Sequence, residues 1–579
     1  MRIYAPLATV ASLASVLACF PALATGPAAA GTFSTIHSFV GPDGATPESG
    51  VPVFDRSGAL YGTSTLGGTH NNGVVFKLTP PVTPGGAWTE TVIYSFTGGS
   101  DGGTPIGGLI FDNSGTLYGT TQYGPGEFAG NGTVFKLTPP GKTGGTWTHT
   151  TLHTFIGSDG SRPIANMIFD RFGALYGTTY VGGAQNSGTV FKLTPPIAPS
   201  GKWAETVLYS FPGPNHVGPS VGLIFDDLGA LYGTTTNGGA RSGGTVFKLA
   251  PPAPGGSAWV ESDLHAFSGS DGEEPLGSLI FDSRGALYGT TLQGGADGFG
   301  LVFKLTPPSA PQGSWTETAL HTFTAVEGPL GGVTFDSFGA LYGTTGGNTA
   351  APHQGTVFKL TPPAIQGHPW IETVVHAFTG NDGIEPEGSL VFDRFGALYG
   401  ITLEGGGNCP FLGDIAQFGC GTVFKFTPPA APASVVSFTA HGSTANGVGP
   451  LVNVIVDGET IGSTSVGTTS ATYSFNTVLS ANTTHDIQLQ YVNDTVIAGQ
   501  DRNLILSSIG INGQTVLATS TFEVYHSKVG GGPGDIASNG NMYWDGAAEF
   551  KVPASYFPPM TAAANTLRTS VHSRLRASN

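Results

Sequence analysis

Phe111-Asp112-Asn113-Ser114-Gly115-Thr116-Leu117-Tyr118-Gly119-Thr120-Thr121 is written, with small changes, seven times along the 579-residue chain. Its tyrosine recurs as Tyr61, Tyr118, Tyr176, Tyr232, Tyr288, Tyr342 and Tyr399, at successive distances of 57, 58, 56, 56, 54 and 57 residues. A near-constant period of this length marks a repeat architecture, in which each unit buries its apolar face against copies of itself. One copy holds four apolar stretches of strand length: Trp88 to Phe96, Leu109 to Phe111, Thr116 to Thr121 and Thr133 to Leu137. Asp112 and Gly115 suit a tight turn between the second and third, because the carboxylate bonds turn backbone and glycine accepts a positive φ. Thr138-Pro139-Pro140 ends the fourth, since proline has no N–H to give a ladder. The unit therefore reads as a four-stranded antiparallel meander, and seven meanders packed radially make a seven-bladed β-propeller over residues 32–429. Thr32 to Phe39 matches the strand ending in Tyr94-Ser95-Phe96, so all seven blades are expected to be built without strands exchanged between the termini, with closure by a shared blade as the open alternative.

Composition agrees with an all-β chain. Charged residues make up 10% of it, while 91 glycines and 42 prolines call for many tight turns. The formal net charge of −16 speaks against nucleic acid and anionic lipid as partners, both of which need a Lys/Arg-rich face. At the amino end, Arg2, the apolar run Ala5 to Ala18 and the small residues Ala22-Leu23-Ala24 form the pattern of a secretory signal peptide over residues 1–24. That run is shorter than the roughly 20 residues a membrane-spanning helix requires, so export without a transmembrane segment is expected. Val16-Leu17-Ala18-Cys19 is a loose version of a lipoprotein cleavage box, which keeps a surface-tethered form as the alternative. Loss of the signal leaves Cys409 and Cys420, and an oxidising compartment lets them join as a disulfide.

Residues that recur in every unit are first suspected of structural work. Asp55, Asp112, Asp170, Asp226, Asp282, Asp336 and Asp393 are read as turn caps, and the lysines of the Phe-Lys pairs, from Lys77 to Lys425, as solvated. One position holds His37, Tyr94, His153, Tyr209, His265, His321 and His376. If its strand lines the central channel, these rings surround the axis; the easy interchange of histidine and tyrosine favours simple packing. Asymmetry is greatest in the seventh unit, where the loop from Leu403 to Cys420 carries Glu404, Phe411 and Asp414. Glu404 and Asp414 as paired carboxylates of a glycoside hydrolase, or as charges of a solvated, disulfide-pinned loop, are the two readings.

The units, written as GALYGTT followed by GTVFKLTPP, resemble the GloVer-type tandem repeat of secreted bacterial proteins over roughly residues 32–430. That resemblance implies a scaffold and no particular chemistry.

After Thr427-Pro428-Pro429 the period stops. Residues 430–434 read as a linker, residues 435–556 as a β-sandwich built from runs such as Leu451 to Val456 and Leu504 to Ile509, and residues 557–579 as a flexible tail. Within the sandwich, Asn493-Asp494 and Asp501-Arg502-Asn503 place oxygen donors at both ends of a short loop, a pattern shared by calcium sites and by ordinary acidic hairpin turns. Tyr543-Trp544-Asp545 sets two aromatic rings beside a carboxylate, as a platform for a sugar or as part of the core.

The segment from Val435 to about Gly513, with VNVIVDGETIG, YVND, DRNL and IGING, resembles the calcium-dependent xylan-binding carbohydrate-binding modules. The resemblance implies a β-sandwich whose bound Ca2+ coordinates sugar hydroxyls directly. It assigns Asp494 and Asp501 as carboxylate ligands, Asn493 and Asn503 as amide or carbonyl donors, and Arg502 as the orienting partner of Asp501. The expected protein is a secreted binder of a xylan-like polysaccharide, more a binding protein than an enzyme. Its rivals are a propeller glycosidase or lyase targeted by the same module, and an adhesive surface protein.

Overall fold

A computed structural model describes residues 31–576, apart from 49, 84, 125–129, 143, 199–200, 214–217, 311–312, 325–327, 347–353, 364–367, 410–417, 430–433, 443–450, 458, 478–484, 492–495, 498–499, 502–503, 512–513, 518–540, 543–545 and 553–571. The described residues contain no α-helix. Strand β1 (Thr32–Ser38) comes first; β2 (Val53–Phe54), β3 (Leu60–Ser64), β4 (Val74–Thr79) and β5 (Thr89–Ser95) then form one antiparallel sheet in that order. Next come β6 (Ile110–Phe111), β7 (Leu117–Thr121), β8 (Thr133–Thr138) and β9 (Thr148–Thr154), and residues 168–377 supply β10 to β25 in the same way. Finally β26 (Val391–Phe392), β27 (Leu398–Thr402) and β28 (Thr422–Thr427) form a sheet whose fourth strand is β1. These seven four-stranded sheets are the blades of a seven-bladed β-propeller.

Two details differ from the frame expected of the repeat. The stretch read as the first strand of each unit is the last strand of the preceding sheet, so Trp88 to Phe96 closes blade 1 and does not open blade 2. Ring closure follows from that shift: Thr32 to Ser38 has no blade of its own and pairs with β28, from Thr32↔Thr427 to Ser38↔Thr422.

Packing is between blades. Ala59, Tyr61, Val75 and Phe96 of blade 1 share a core with Leu109, Leu117, Phe135 and Leu137 of blade 2, and the closing interface joins Phe39, Leu60 and Phe76 to Tyr399, Cys409, Cys420 and Val423. Near the axis, backbones replace side chains. A Cβ added at Gly107 would lie 2.8 Å from the Ala165 carbonyl, one at Gly331 2.7 Å from that of Gly388, and one at Gly388 3.2 Å from that of Gly50. Such contacts run through the segments before the short first strands, which are therefore innermost; the long last strands lie outermost, where the wedge between blades is filled by large rings. Inside each blade the Leu-Tyr-Gly glycine makes room for the neighbouring strand's phenylalanine, as where a Cβ on Gly119 would meet the Phe135 ring at 2.6 Å.

Past the propeller, one sheet runs β32 (Ala471–Thr477), β29 (Ser434–Gly442), β36 (Leu504–Ile511), β37 (Gln514–Leu517), with β38 (Asn541–Met542) also on β36. A second runs β31 (Glu459–Ser465), β30 (Leu451–Val456), β33 (His485–Tyr491), β39 (Gly546–Val552), β40 (His572–Arg576). The last of these strands lies within the segment read as a tail. Alternate residues are buried: Val436, Phe438 and Ala440 on β29, and Val452, Val454 and Val456 on β30.

Candidate functional site

The seven repeated aspartates are turn caps, as expected. Asp112 Oδ1 accepts from the Ser114 and Thr116 amides at 2.8 and 2.9 Å, while Tyr118 donates its hydroxyl to Oδ2 at 3.2 Å. Burial would raise the Asp112 carboxyl, but bonds from Ser114, Thr116 and Tyr118 outweigh it and hold the group below the ordinary carboxylate range. Such a group contributes stability that is complete above the unfolded pKa of about 4 and is lost as pH falls through the lowered folded value. The stability difference between wild type and Asp112→Asn is accordingly expected in full at neutral pH and absent in strong acid, measured as paired thermal melts across pH.

The lysines correct the expectation of solvation. Tyr61 and Lys77 are cross-strand partners, and the Lys77 ammonium lies 5.2 Å from the Tyr61 ring centre and 3.9 Å from Asp55 Oδ2. The same half-buried Asp–Tyr–Lys clamp recurs, for example, with Lys248 at 3.5 Å from Asp226. Neither a cationic rim nor a set of acid–base groups results.

The histidine and tyrosine position lies on the outermost strands, so these rings do not line the axis. Each meets a carboxylate instead. His37 faces Asp43 at 3.1 Å, His153 faces Asp159 at 3.0 Å, His265 faces Asp271 at 3.0 Å and His376 faces Asp382 at 2.9 Å; Tyr94 donates to Asp101 at 2.9 Å. Elsewhere the partner is a glutamate of the next blade: Tyr209 donates to Glu261 at 3.2 Å and His321 is 3.7 Å from Glu372. A bulge in each outer strand sets this up, for example by skipping Leu152 so that His153 pairs with Val190's counterpart in its own blade, Val134. Sequence reasoning missed the carboxylates, although the Asp-Gly six or seven residues beyond the ring (Asp43-Gly44, Asp101-Gly102, Asp159-Gly160, Asp271-Gly272, Asp382-Gly383) was a legible signal.

At the seventh rim the expected disulfide is present: Cys409 and Cys420 are joined, with Cα atoms 5.2 Å apart, in the core between the last and first blades. Burial and the nearby Glu385 push the Glu404 carboxyl up. Phe411 and Asp414 lie outside the described residues.

In the second unit, Asn493, Asp494, Arg502, Asn503, Tyr543, Trp544 and Asp545 lie outside the described residues, as does the side chain of Asp501. What is described is the frame holding them. β34 (Val496–Ile497) and β35 (Gln500–Asp501) form a short hairpin with Val496 opposite Asp501. It links the end of β33 at Tyr491 to the start of β36 at Leu504. Residues 543–545 link β38, where Met542 pairs with Leu504, to β39, where Gly546 pairs with Tyr491. Both connections are thus tied to the same two cross-strand pairs, one in each sheet.

These features define a class: a propeller built from one repeated unit, followed by a smaller all-β unit. The chain belongs to the Gloeobacter/Verrucomicrobia repeat family, whose model matches residues 26–203 and 196–416. Residues 435–525 match the model of the calcium-dependent, xylan-binding carbohydrate-binding modules, so a carbohydrate-binding module stands on a propeller scaffold. No curated protein matches the chain. Among solved structures, vCBM60 in complex with galactobiose is 20% identical, covering 20% of this chain and 95% of its own, with a TM-score of 0.16. PorZ, a surface component of the type-IX secretion system of Porphyromonas gingivalis, is 13% identical over 79% of this chain and 59% of its own, with a TM-score of 0.40. A luciferin-regenerating enzyme is 13% identical over 69% and 95%, with a TM-score of 0.34. No helix among the described residues is long and apolar enough to cross a membrane.

Proposed function

We propose that the chain is a secreted protein that binds a xylan-like polysaccharide through calcium held in a carboxyl-terminal β-sandwich, with the propeller as scaffold. The family match over residues 435–525 carries the reading, since YVND and DRNL fall inside it. Two five-stranded sheets with alternate residues buried support the sandwich. Asp494 and Asp501 would supply carboxylate oxygens to the ion, Asn493 and Asn503 neutral ones, and Tyr543, Trp544 and Asp545 would meet the sugar. Calcium suits the role because it takes six to eight oxygen ligands in flexible geometry, and hydroxyl pairs of a sugar fill positions that protein and water leave open. The signal pattern of residues 1–24 supports export, with the disulfide in keeping.

The test is native electrophoresis of the full chain through gels containing xylan, with a β-galactan as comparison. Retardation by xylan, lost in chelator and restored by added calcium, is the expected result. Mobility indifferent to every polysaccharide and to calcium would overturn the reading and leave an adhesive or catalytic role to be sought on the propeller.

A further inference from the structure

The interface between the second and third blades brings a recurring His–Asp pair and a glutamate of the next blade into one cluster that the carbohydrate reading does not employ. His153 lies on β9, Asp159 in the loop that follows, and Glu205 on β13 (Ala204–Ser210), the outer strand of the next blade. Among the described residues these make up the one group of three His, Cys, Asp or Glu side chains whose candidate ligand atoms all lie within 4.8 Å of one another. His153 Nε2 is 3.0 Å from Asp159 Oδ2, and the two side chains are 19% and 15% exposed. A tetrahedral ion with bonds of about 2.0–2.2 Å sets its ligand atoms roughly 3.3 Å apart, a spacing this group reaches with small side-chain shifts.

An independent observation points to something held there: Glu205 Oε1 is shut away from water and has no hydrogen-bond partner. A carboxylate oxygen so placed is costly unless a donor or a cation meets it. Two other interfaces carry the same trio, Glu90 beside His37 and Asp43 and Glu317 beside His265 and Asp271, each with an equally unpartnered Oε1, while others dispose of the strand position differently. Phe33 occupies it beside His376 and stacks on the ring at a centroid distance of 3.4 Å, His149 stacks on Tyr94 at 4.7 Å, and Glu261 accepts the Tyr209 hydroxyl. Between blades 2 and 3, alone among the described residues, the candidate ligand atoms of the histidine, aspartate and glutamate all come within 4.8 Å of one another.

We propose that His153, Asp159 and Glu205 form a site for a divalent first-row transition-metal ion, with zinc the best match, that ties β9 to β13 across the blade boundary. One imidazole and two carboxylates are a borderline donor set that suits zinc, whereas calcium prefers an all-oxygen shell of higher number. Three protein ligands leave at least one coordination position for water.

The full chain, stripped with chelator, desalted and exposed to zinc chloride, tests this directly. One equivalent of zinc is expected to survive a second desalting, and cobalt in its place should give the visible absorption of a low-symmetry site. Glu205→Gln should weaken zinc binding at least about tenfold, with Asp159→Asn behaving alike and both variants keeping the wild-type circular dichroism spectrum. Asp501→Asn should retain the equivalent, which separates this site from the calcium of the binding module and lets either proposal fail alone. Absence of retained zinc in the wild type, or equal retention by the folded Glu205→Gln variant, overturns the inference.

Discussion

Replacing Asp494 and Asp501 together by asparagine is expected to abolish retardation of the chain in xylan gels, with an apparent affinity at least roughly 100-fold below wild type. The size follows from the arrangement. When the ion itself coordinates the sugar, every ligand that holds the ion also holds the polysaccharide, so loss of metal removes the direct contacts at once. Asparagine keeps an oxygen at each position but removes both negative charges, and charge count is a main determinant of calcium affinity. A factor of 100 corresponds to about 2.7 kcal/mol, small enough that the sheets themselves should survive. Calcium titration by calorimetry and gel mobility should therefore fail together, while the thermal unfolding of the propeller stays at its wild-type temperature. Undiminished xylan retardation in the double variant would remove calcium from the recognition step.

The number of blades was legible because each copy must satisfy the same packing, so Tyr61 to Tyr399 keep both identity and spacing. The partition of strands into sheets was not. Thr79-Pro80-Pro81 stops β4, and a proline pair reads as the end of a unit; the chain nevertheless returns within a few residues to pair Thr89 with Thr79. Proline ended the strand without ending the sheet. Lys77 shows a second limit: strand alternation sends it outward, but its register opposite Tyr61 supplies an aromatic face and, one turn away, the Asp55 carboxylate. Side-chain alternation cannot reveal a partner that arrives from another hairpin. The same holds for Glu205, which meets His153 and Asp159 only because neighbouring outer strands approach across the blade boundary. For the binding module, the residues alone left Asn493 to Asn503 between a metal loop and an ordinary turn, and it was the wider resemblance, matched by the family model, that favoured the metal.

Deleting residues 32–38 is expected to cost the propeller its cooperative unfolding, whereas a chain beginning at residue 31 should melt like the full one. Strand β1 closes the ring through six residue pairs with β28, to which the Phe39 and Thr46 amides add single bonds to the Gly421 and Cys420 carbonyls. Without it, blade 7 keeps three strands, and β28 presents a row of unpaired N–H and C=O groups as an open sheet edge. Packing is lost as well. Phe33 stacks on His376 and on Phe424, at centroid distances of 3.4 and 5.4 Å, and Ile36 packs against the core shared by the last and first blades. The register of Phe39, 2% exposed in that core, depends on the same strand; removing this one ring by Phe39→Ala should alone cost about 3–5 kcal/mol. Open propellers with a bare edge should also self-associate through strand pairing, so gel filtration and near-ultraviolet circular dichroism report both effects. A deletion variant that stays monomeric and melts in one sharp transition at the wild-type temperature would mean that the inter-blade cores suffice to hold the ring without its closing strand.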